Sequence, residues 1–411
     1  MKNVRVAFIG LGGRGKGLLR QILLVDGVRI TALCDVYEDR IKEGLKIASK
    51  KGNRDIFTSV SYEDILKRDD VDAVIISTSW QSHVKIACDS MRRGIYTAME
   101  VGGTYDINDC YELVKTYEET GTEFMFLENC CYGEKELMCL RMAREGKFGD
   151  ILQCDGAYCH DLRNEVSFGR ENRHYRLEHY LNHNCENYPT HDLGPIAKIL
   201  NINRGNRMVR LISVPTKALG LHQYVLEKKK DDEVLKNAEF KQADIVTTLI
   251  ECENGEIIRL TLETTLPRNY SRGFSVHGTK GMYQEDGDIV FLDGKYPLSK
   301  TGFYDTHPEK LYGNSKKYAK KYAGDMWQIN KKMRKMGHGG MDWLVLSAMV
   351  YSAGNRTPSP IDVYDAASWM CITALSEKSI QNGCQWVEIP DFTNGKYKDM
   401  KTKDSGPYTL R

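Results

Sequence analysis

The sequence predicts an α/β fold: an N-terminal doubly wound parallel sheet followed by a C-terminal α+β domain with an open, largely antiparallel sheet. The chain has 411 residues, which makes two domains the natural expectation. Its first third alternates short apolar strands with helices, the pattern of a parallel sheet. Its later part contains consecutive alternating strands, which favour an antiparallel sheet. We place the two domains at residues 1–130 and 131–411.

A glycine-rich turn opens the first domain. Residues 4–9 (VRVAFI) form an apolar strand broken only by Arg5, and GLGGRG follows at 10–15. A helix over 16–25 and a strand over 28–34 come next, and that strand ends in Asp35. Strand, glycines, helix, strand and acid in this order are the fingerprint of dinucleotide-binding Rossmann domains.

The fingerprint predicts which groups contact the dinucleotide. Backbone at the glycines can approach a pyrophosphate, and the helix N-terminus supplies amide donors. Asp35 would accept hydrogen bonds from ribose hydroxyls and repel a 2′-phosphate, which predicts NAD rather than NADP. The loop residues of this predicted site are Gly10, Gly12, Gly13, Arg14 and Gly15.

Candidate cofactor-contacting residues follow three further predicted strands of this domain, over residues 71–77, 95–99 and 124–127. Ligands of doubly wound sheets bind at the carboxyl ends of the strands, so we expect these side chains at the cofactor site. They are Trp80 and His83, which open a helix, Glu100 and Val101, and Asn129.

The second domain is predicted to begin near Tyr132, with a helix over 134–145 and a strand over 151–159. A polar stretch extends to residue 187. Further elements are predicted as strands over 243–252, 256–264, 272–277 and 281–284, and as closing helices from Met341 and Asp362. Two lysine-rich segments, 227–241 and 310–335, are predicted to be solvated insertions.

The segment Tyr188–Pro195 (YPTHDLGP) carries the candidate catalytic groups of this domain. A helix is predicted from Asp192 to about Asn203, with Thr190 or Asp192 as its cap and Pro195 in its first turn. His191 would lie at the helix N-terminus, where the macrodipole disfavours the imidazolium. A neutral imidazole suits general acid/base catalysis. The alternative is a capping loop with a hydrogen-bonded structural histidine.

Composition argues against several other classes of protein. The net charge of +2 gives no reason to expect nucleic acid or an anionic membrane as a partner. Twelve cysteines are scattered without a CxxC pair, which fits a reducing compartment. The first residues already form a strand, and no apolar run approaches transmembrane length. We therefore expect a cytoplasmic protein.

Motifs along nearly the whole chain carry a family resemblance. They are GLGGRG at 10–15, Asp35, WQSH at 80–83, EV at 100–101, LENCCYG at 127–133, YRLEH at 175–179, YPTHDLGPIAKILNINRG at 188–205, PRNYSR at 267–272 and GHGGMD at 337–342. In this order they resemble the glucose–fructose oxidoreductase and inositol dehydrogenase (Gfo/Idh/MocA) superfamily. More narrowly, the chain is similar to the NAD-dependent α-N-acetylgalactosaminidases of glycoside hydrolase family 109.

The resemblance implies a cofactor, a substrate and site residues. NAD would be contacted by Gly13, Arg14, Asp35, Trp80, His83, Glu100, Val101 and Asn129. A small glycoside would lie against Tyr158, Arg176, Tyr188, His191 and Tyr270, with Tyr158, Tyr188 and His191 as the candidate catalytic groups and no metal. The implied reaction is transient oxidation at C3 of the sugar, elimination across C1–C2, water addition and return of the hydride. The resemblance also implies a homo-oligomer.

Two departures from the related patterns bear on function. The dehydrogenases usually carry Glu-Lys-Pro after the strand that here precedes Glu100, but this chain has Val101 in place of the lysine. The glycosidases usually have THGLGP, whereas Asp192 occupies the glycine position here, and we expect this carboxylate to alter the sugar subsite.

Three alternatives stay open at this point. One is a sugar or cyclitol dehydrogenase with net hydride transfer. Another is a metal hydrolase built from His179, His183 and Cys185, with His338 as a further ligand. The third is an NAD-dependent binding protein without turnover.

Overall fold

In the computed structural model the chain forms two compact units, each built from separate segments. Unit 1 comprises Met1–Gly133, Met326–Ser368 and Lys401–Arg411, and unit 2 comprises Glu134–Asp325 and Trp369–Met400. The structure describes residues 3–50, 52–300, 302, 304, 306–328 and 331–411, with 331 and 332 described by their backbone alone. Two segments that we predicted to lie in the second domain therefore belong to unit 1.

Unit 1 is built on a six-stranded parallel sheet with the order β3-β2-β1-β4-β5-β6. The strands and their crossover helices are β1 (Val4–Ile9), α1 (Gly13–Ile22), β2 (Val28–Cys34), α2 (Glu38–Ser49), β3 (Phe57–Ser59), α3 (Tyr62–Leu66), β4 (Ala73–Ile76), α4 (Trp80–Arg92), β5 (Tyr96–Met99), α5 (Ile107–Thr120) and β6 (Phe124–Phe126). This order confirms the predicted doubly wound fold. Helix α1 begins three residues before its predicted start, because Gly12 rather than a later residue occupies the N-cap.

Unit 2 contains an eight-stranded sheet with the order β13-β12-β11-β7-β10-β9-β8-β14. Its elements up to residue 322 are α6 (Glu134–Arg144), β7 (Ile151–Cys159), α7 (Arg163–Ser167), α8 (Arg176–Asn182), α9 (Thr190–Ile199), β8 (Met208–Pro215), α10 (Gly220–Lys228), α11 (Glu233–Lys236), β9 (Ile245–Cys252), β10 (Ile257–Glu263), β11 (Ser275–Gly278), β12 (Gly281–Gln284), β13 (Ile289–Leu292) and α12 (Ser315–Tyr322). Only the β7–β10 pair among these strands is parallel, which confirms the largely antiparallel sheet.

The rest of the chain passes through both units. Its elements are α13 (Gly324–Trp327), α14 (Lys331–Arg334), α15 (Met341–Asn355), α16 (Val363–Gln381) and β14 (Val387–Glu388). Helix α15 packs against α1 and β1, which explains why this late segment belongs to unit 1. None of the helices in the described ranges combines the length and apolarity that a bilayer crossing requires. Residues 329 and 330 of the lysine-rich segment 310–335 lie outside the described residues.

Helix α9 differs from its prediction at both ends. It begins at Thr190, after Pro189 in the N-cap position, and no side chain caps it. The predicted capping by Thr190 or Asp192 is therefore wrong, because both residues lie inside the first turn. The helix ends at Ile199 rather than near Asn203, a residue with a left-handed φ of 64°. His191 lies in the first turn, as predicted.

Candidate active site

The glycine loop of unit 1 is pressed against the end of β4. Gly10 has a φ of 97°, and a Cβ added there would lie 2.6 Å from the carbonyl carbon of Ser77. A Cβ on Gly15 would lie 2.1 Å from the carbonyl oxygen of Gly10. At Gly13, by contrast, an added Cβ would meet no described atom within 4 Å. The loop is therefore closed on the sheet side and open over the start of α1, which fits a pyrophosphate at a helix N-terminus.

Asp35 holds this loop in place. Its carboxylate accepts hydrogen bonds from the backbone amides of Leu11 (2.7 Å) and Tyr37 (2.9 Å). The guanidinium of Arg40 lies 3.9 Å from the same carboxylate. A carboxylate can accept about four hydrogen bonds, so Asp35 keeps capacity for ribose hydroxyls while it also fixes the glycine loop.

The predicted residues at the other strand ends are buried and ordered by local contacts. Trp80 packs on the backbone of Gly102, where an added Cβ would lie 2.4 Å from the indole ring. The Nε2–H of His83 donates to the carbonyl of Thr78 at 3.1 Å, and burial lowers the pKa of His83 to about 4. His83 is therefore neutral near pH 7. The backbone N–H of Val101 donates to the carboxylate of the preceding residue.

Arg14 connects two buried carboxylates of unit 1. Its guanidinium donates to Glu100 at 2.8 and 3.0 Å and to Asp342 at 2.7 and 3.0 Å. Burial alone would lower the pKa of Arg14, but attraction to Glu100 and Asp342 holds it well above its usual value. The side-chain amide of Asn129 also donates to Asp342, at 2.6 Å. Sequence reasoning missed Asp342, although it ends the quoted GHGGMD motif.

In unit 2, three predicted residues form what we call the aromatic cluster: Tyr158 on β7, and Tyr188 and His191 at the start of α9. The Tyr158 and Tyr188 rings are 4.4 Å apart, and the His191 ring lies 4.8 Å from Tyr188. The hydroxyl of Tyr188 and Nε2 of His191 are 3.3 Å apart, within hydrogen-bonding distance. All three side chains are buried. A phenol and an imidazole in contact can pass a proton between them.

Arg176, the first residue of α8, places a partly buried positive charge at the aromatic cluster, with 12% of its side chain exposed. Its guanidinium carbon lies 5.3 Å from the centroid of the Tyr188 ring, and it donates to Glu165 at 2.6 Å. Burial would lower the pKa of Arg176, but the Coulomb attraction of Tyr158 and Glu165 outweighs burial and holds this pKa well above its usual value. The cluster is therefore polarised by a permanent cation.

Tyr270 and a histidine missed by the sequence analysis complete this side of unit 2. The segment that carries Tyr270 extends along β7, where Ser271 and Cys159 exchange two backbone hydrogen bonds. His160 lies between Tyr158 and Tyr270, with ring centroids 5.9 and 5.2 Å away. Side chains two apart on an extended strand share a face, so the spacing of Tyr158 and His160 was the available signal.

Two buried carboxyl groups lie close to the cluster in sequence. Asp192 packs over Gly156 of β7. A Cβ added to Gly156 would lie 2.6 Å from the Cβ of Asp192. Glu186 is fully buried two residues before Tyr188, and burial raises the pKa of Glu186 to about 8. Asp192 therefore fits against the sheet because residue 156 is a glycine. Glu186 is an acid that keeps its proton near neutral pH.

The residues of the metal alternative have other partners. Nδ1 of His183 lies 2.9 Å from the carboxylate of Glu377. Burial, with the charges of His183 and Arg176, lowers the pKa of His179 to about 4. The Cys185 side chain is buried, and in unit 1 Nδ1 of His338 bonds to Asp342. These contacts favour structural roles for the four residues.

Comparisons with known proteins agree on both parts of the chain. Residues 4–127 match a family model described as an oxidoreductase family with an NAD-binding Rossmann fold. Residues 132–399 match the model of the glycosyl hydrolase 109 C-terminal domain. A glycosyl hydrolase family 109 protein of Stenotrophomonas maltophilia is 37% identical, over 97% of this chain and 91% of its own.

Two further comparisons concern activity and fold. An alpha-N-acetylgalactosaminidase of Tannerella forsythia is 35% identical, over 96% of this chain and 87% of its own. The solved structure of a levoglucosan dehydrogenase, in complex with NADH and levoglucosan, is similar with a TM-score of 0.71. It is 16% identical and covers 95% of this chain and 100% of its own, a likeness that concerns the fold alone.

Proposed function

Because this chain belongs to glycoside hydrolase family 109, we propose that it is an NAD-dependent glycosidase that releases α-linked N-acetylgalactosamine. The observation that carries the proposal is the aromatic cluster of unit 2. It brings two phenols and an imidazole together beside a partly buried guanidinium. Ordinary glycosidases instead use two carboxylates at a defined separation. A phenol–imidazole site suits proton transfer at a sugar whose C2 proton has been made acidic.

The cofactor groups of unit 1 support NAD as the partner of this chemistry. The open glycine loop, Asp35 and the buried amide oxygen of Asn129 offer donors and acceptors for a dinucleotide. Bound NAD⁺ supplies a reversible hydride acceptor, so that C3 of the sugar is oxidised transiently and C2–H becomes acidic. Val101, where related dehydrogenases carry a lysine positioned for alcohol oxidation, favours a glycosidase over a simple dehydrogenase.

The residues of unit 2 divide the proton transfers between them. Tyr158 is proposed as the base at C2, because the positive charge of Arg176 favours a phenolate. The Tyr188–His191 pair is proposed to carry the proton at the glycosidic oxygen when the C1–O bond breaks. Arg176 and Tyr270 are proposed to hold the hydroxyl and acetamido groups. Nδ1 of His160 lies 3.4 Å from the Tyr158 hydroxyl, and we propose that His160 relays the proton taken from C2.

The test is hydrolysis of nitrophenyl α- and β-linked N-acetylhexosaminides with and without NAD⁺. We expect NAD⁺-dependent release from the α-linked N-acetylgalactosaminide, deuterium at C2 of the product formed in heavy water, and flat NADH absorbance. Tyr158→Phe should slow exchange and hydrolysis together. Tyr283→Phe, a buried tyrosine of the same unit on β12, is the matched control and should leave both unchanged.

Two results would overturn this proposal. Full activity after removal of NAD, without an isotope effect from deuterium at C3, would exclude the transient oxidation. NADH that accumulates on a free sugar would identify a dehydrogenase instead.

Self-association is the second part of the proposal. We propose that copies of the chain pair through the open face of the unit 2 sheet, where Val214 of β8 and Leu249 of β9 are exposed. Light scattering of the wild type and of Leu249→Glu tests this. A monomeric wild type would contradict it.

A further inference from the structure

The carboxylate of Asp342 accepts hydrogen bonds from four residues of unit 1. It is the second residue of α15 and is 1% exposed. One oxygen accepts from Asn129 and Arg14, and the other accepts from Arg14, Gln21 and His338, at distances between 2.6 and 3.0 Å. Burial would raise its pKa, but the bonds and charges of His338 and Arg14 hold the pKa of Asp342 well below its usual range. Asp342 is therefore an ionised carboxylate that can only accept hydrogen bonds.

This fixed ionisation state determines how the amide of Asn129 is oriented. Because a carboxylate cannot donate, Asn129 must turn its NH₂ group toward Asp342. Its Oδ1 atom is then the acceptor that the amide keeps for another donor. Oδ1 is fully buried and has no hydrogen-bond partner among the residues that the structure describes. A buried acceptor without a donor is costly, and a ligand that donates a hydrogen bond removes that cost.

The turn before α15 has a backbone conformation that is unfavourable for one of its residues, His338. His338, Gly339 and Gly340 have φ values of 51°, 67° and 106°, three left-handed residues in succession. A histidine in this conformation is strained, and here the conformation accompanies its bond to Asp342. At Gly337 an added Cβ would lie 2.5 Å from Oδ2 of Asp342, so the backbone itself closes over the carboxylate.

We propose that Asp342 is a positioning residue for the cofactor, which holds Arg14 at the glycine loop and presents Oδ1 of Asn129 to an N–H or O–H donor of NAD. The inference rests on the proposed NAD dependence. Asp342 touches the cofactor through neither of its oxygens, since both are occupied by protein donors. Its effect is transmitted by the two side chains that it orients.

A variant of Gln21 distinguishes the positioning role of Asp342 from a purely structural role. Its Nε2–H donates to the same carboxylate at 2.9 Å, but it lies in the body of α1 and orients neither Arg14 nor Asn129. Gln21→Leu therefore loosens the same cluster without changing either ligand-facing group. Asp72→Asn is a second control, since it breaks an Arg–Asp pair with Arg5 at the amino edge of the sheet.

The experiment is calorimetric titration of cofactor-stripped protein with NAD⁺, together with thermal unfolding without cofactor. Asp342→Asn should raise the Kd for NAD⁺ about ten- to a hundredfold, the effect of losing hydrogen bonds to a charged group. Gln21→Leu and Asp72→Asn should lower the unfolding temperature and leave the Kd within about twofold. Should Asp342→Asn not fold, Asn129→Leu keeps the carboxylate and its arginine, removes Oδ1, and should raise the Kd to the same degree.

The outcomes separate this inference from the proposed function. A wild type that binds NAD⁺ while Asp342→Asn and Asn129→Leu bind it equally well would overturn the positioning role alone. An equal loss of affinity in Gln21→Leu would assign the effect to general loosening and overturn it too. A wild type that binds no NAD⁺ would overturn the proposed cofactor as well.

Discussion

Replacing Glu186 with glutamine should change how the stability of the protein depends on pH. The side chain is fully buried, and one carboxyl oxygen accepts a long hydrogen bond, 3.4 Å, from the backbone N–H of Tyr188. The other oxygen has no hydrogen-bond partner among the described residues. Burial raises the pKa of Glu186 to about 8, although the Tyr188 N–H opposes the shift. The folded protein therefore keeps a proton that the unfolded chain releases.

The sign and size of the effect follow from this difference. Between about pH 4.5 and pH 8 the native state binds more protons at Glu186 than the unfolded state, so the free energy of unfolding falls as the pH rises. The contribution is complete below the lower pH and lost above the higher one. One pKa unit corresponds to about 1.4 kcal/mol, so the rise from 4.5 to about 8 corresponds to about 4 to 5 kcal/mol.

Urea denaturation of wild type and Glu186→Gln at several pH values from 5 to 8 measures this contribution. Glutamine is neutral and has nearly the same shape, so the two proteins should be similar at pH 5. At pH 8 the variant should be more stable by several kcal/mol, because it has no buried acid to ionise. Groups that titrate equally in both proteins cancel in the difference.

Glu136→Gln is the matched control for the substitution. Glu136 is also buried in unit 2, but its carboxylate accepts from Nε of Arg272 at 2.9 Å. Removing that charge takes an ionic partner from the half-buried guanidinium of Arg272, so this variant should be less stable than the wild type at both pH 5 and pH 8. A difference between wild type and Glu186→Gln that stays constant from pH 5 to 8 would refute the reasoning about Glu186.

Three further predictions concern the candidate site. Asp35→Ala should narrow the preference for NAD over NADP and also weaken the binding of NAD itself, because the Leu11 amide loses its acceptor. Calorimetry with both cofactors measures this, and equal affinities of the wild type for the two cofactors would contradict it. His191→Ala should lower turnover by about two to four orders of magnitude with little change in NAD affinity or melting temperature, whereas unfolding or near-normal turnover would indicate a structural histidine. Gly156→Ala should destabilise the protein by about 1 to 3 kcal/mol in urea denaturation, because the new Cβ would lie 2.6 Å from the Cβ of Asp192. Unchanged stability would mean that α9 can move away from β7.

Five of the six parallel strands of unit 1 were predicted from their apolar runs, because these strands are buried on both faces. Strand β3 (FTS) was not predicted, because it has only three residues and all three are half-buried. The predicted bounds of β1 and β2 agree with the structure to the residue. Strand β8 was missed, since Arg210 and Ser213 interrupt its apolar residues and its partner β9 lies some 30 residues later. The start of α1 was misplaced because its apolar periodicity begins only at Leu18, after the glycines.

The candidate site was predictable where its residues belong to local motifs. The GLGGRG loop, Asp35 and the YPTH segment each contain their own signal in a few consecutive positions. The GHGGMD motif that ends in Asp342 did not reveal its partner, because Arg14 lies 328 residues away in the chain and the packing of α15 on α1 brings them together. Periodicity describes which face a residue occupies, but it says nothing about which distant element covers that face.

Asp342 and Glu186 show why the chemical state of a buried acid cannot be inferred from its neighbours in sequence. Both lie within a few residues of a glycine or histidine motif, and both are buried. Burial pushes the pKa of each upward. Asp342 receives five hydrogen bonds, four of them from residues far away in the chain and two of these from a guanidinium, and stays ionised. Glu186 receives one long bond from a backbone amide and keeps its proton near neutral pH. The number and charge of the donors, which only the fold supplies, therefore decide that one acid organises cations while the other stays a neutral group bonded to the backbone of Tyr188.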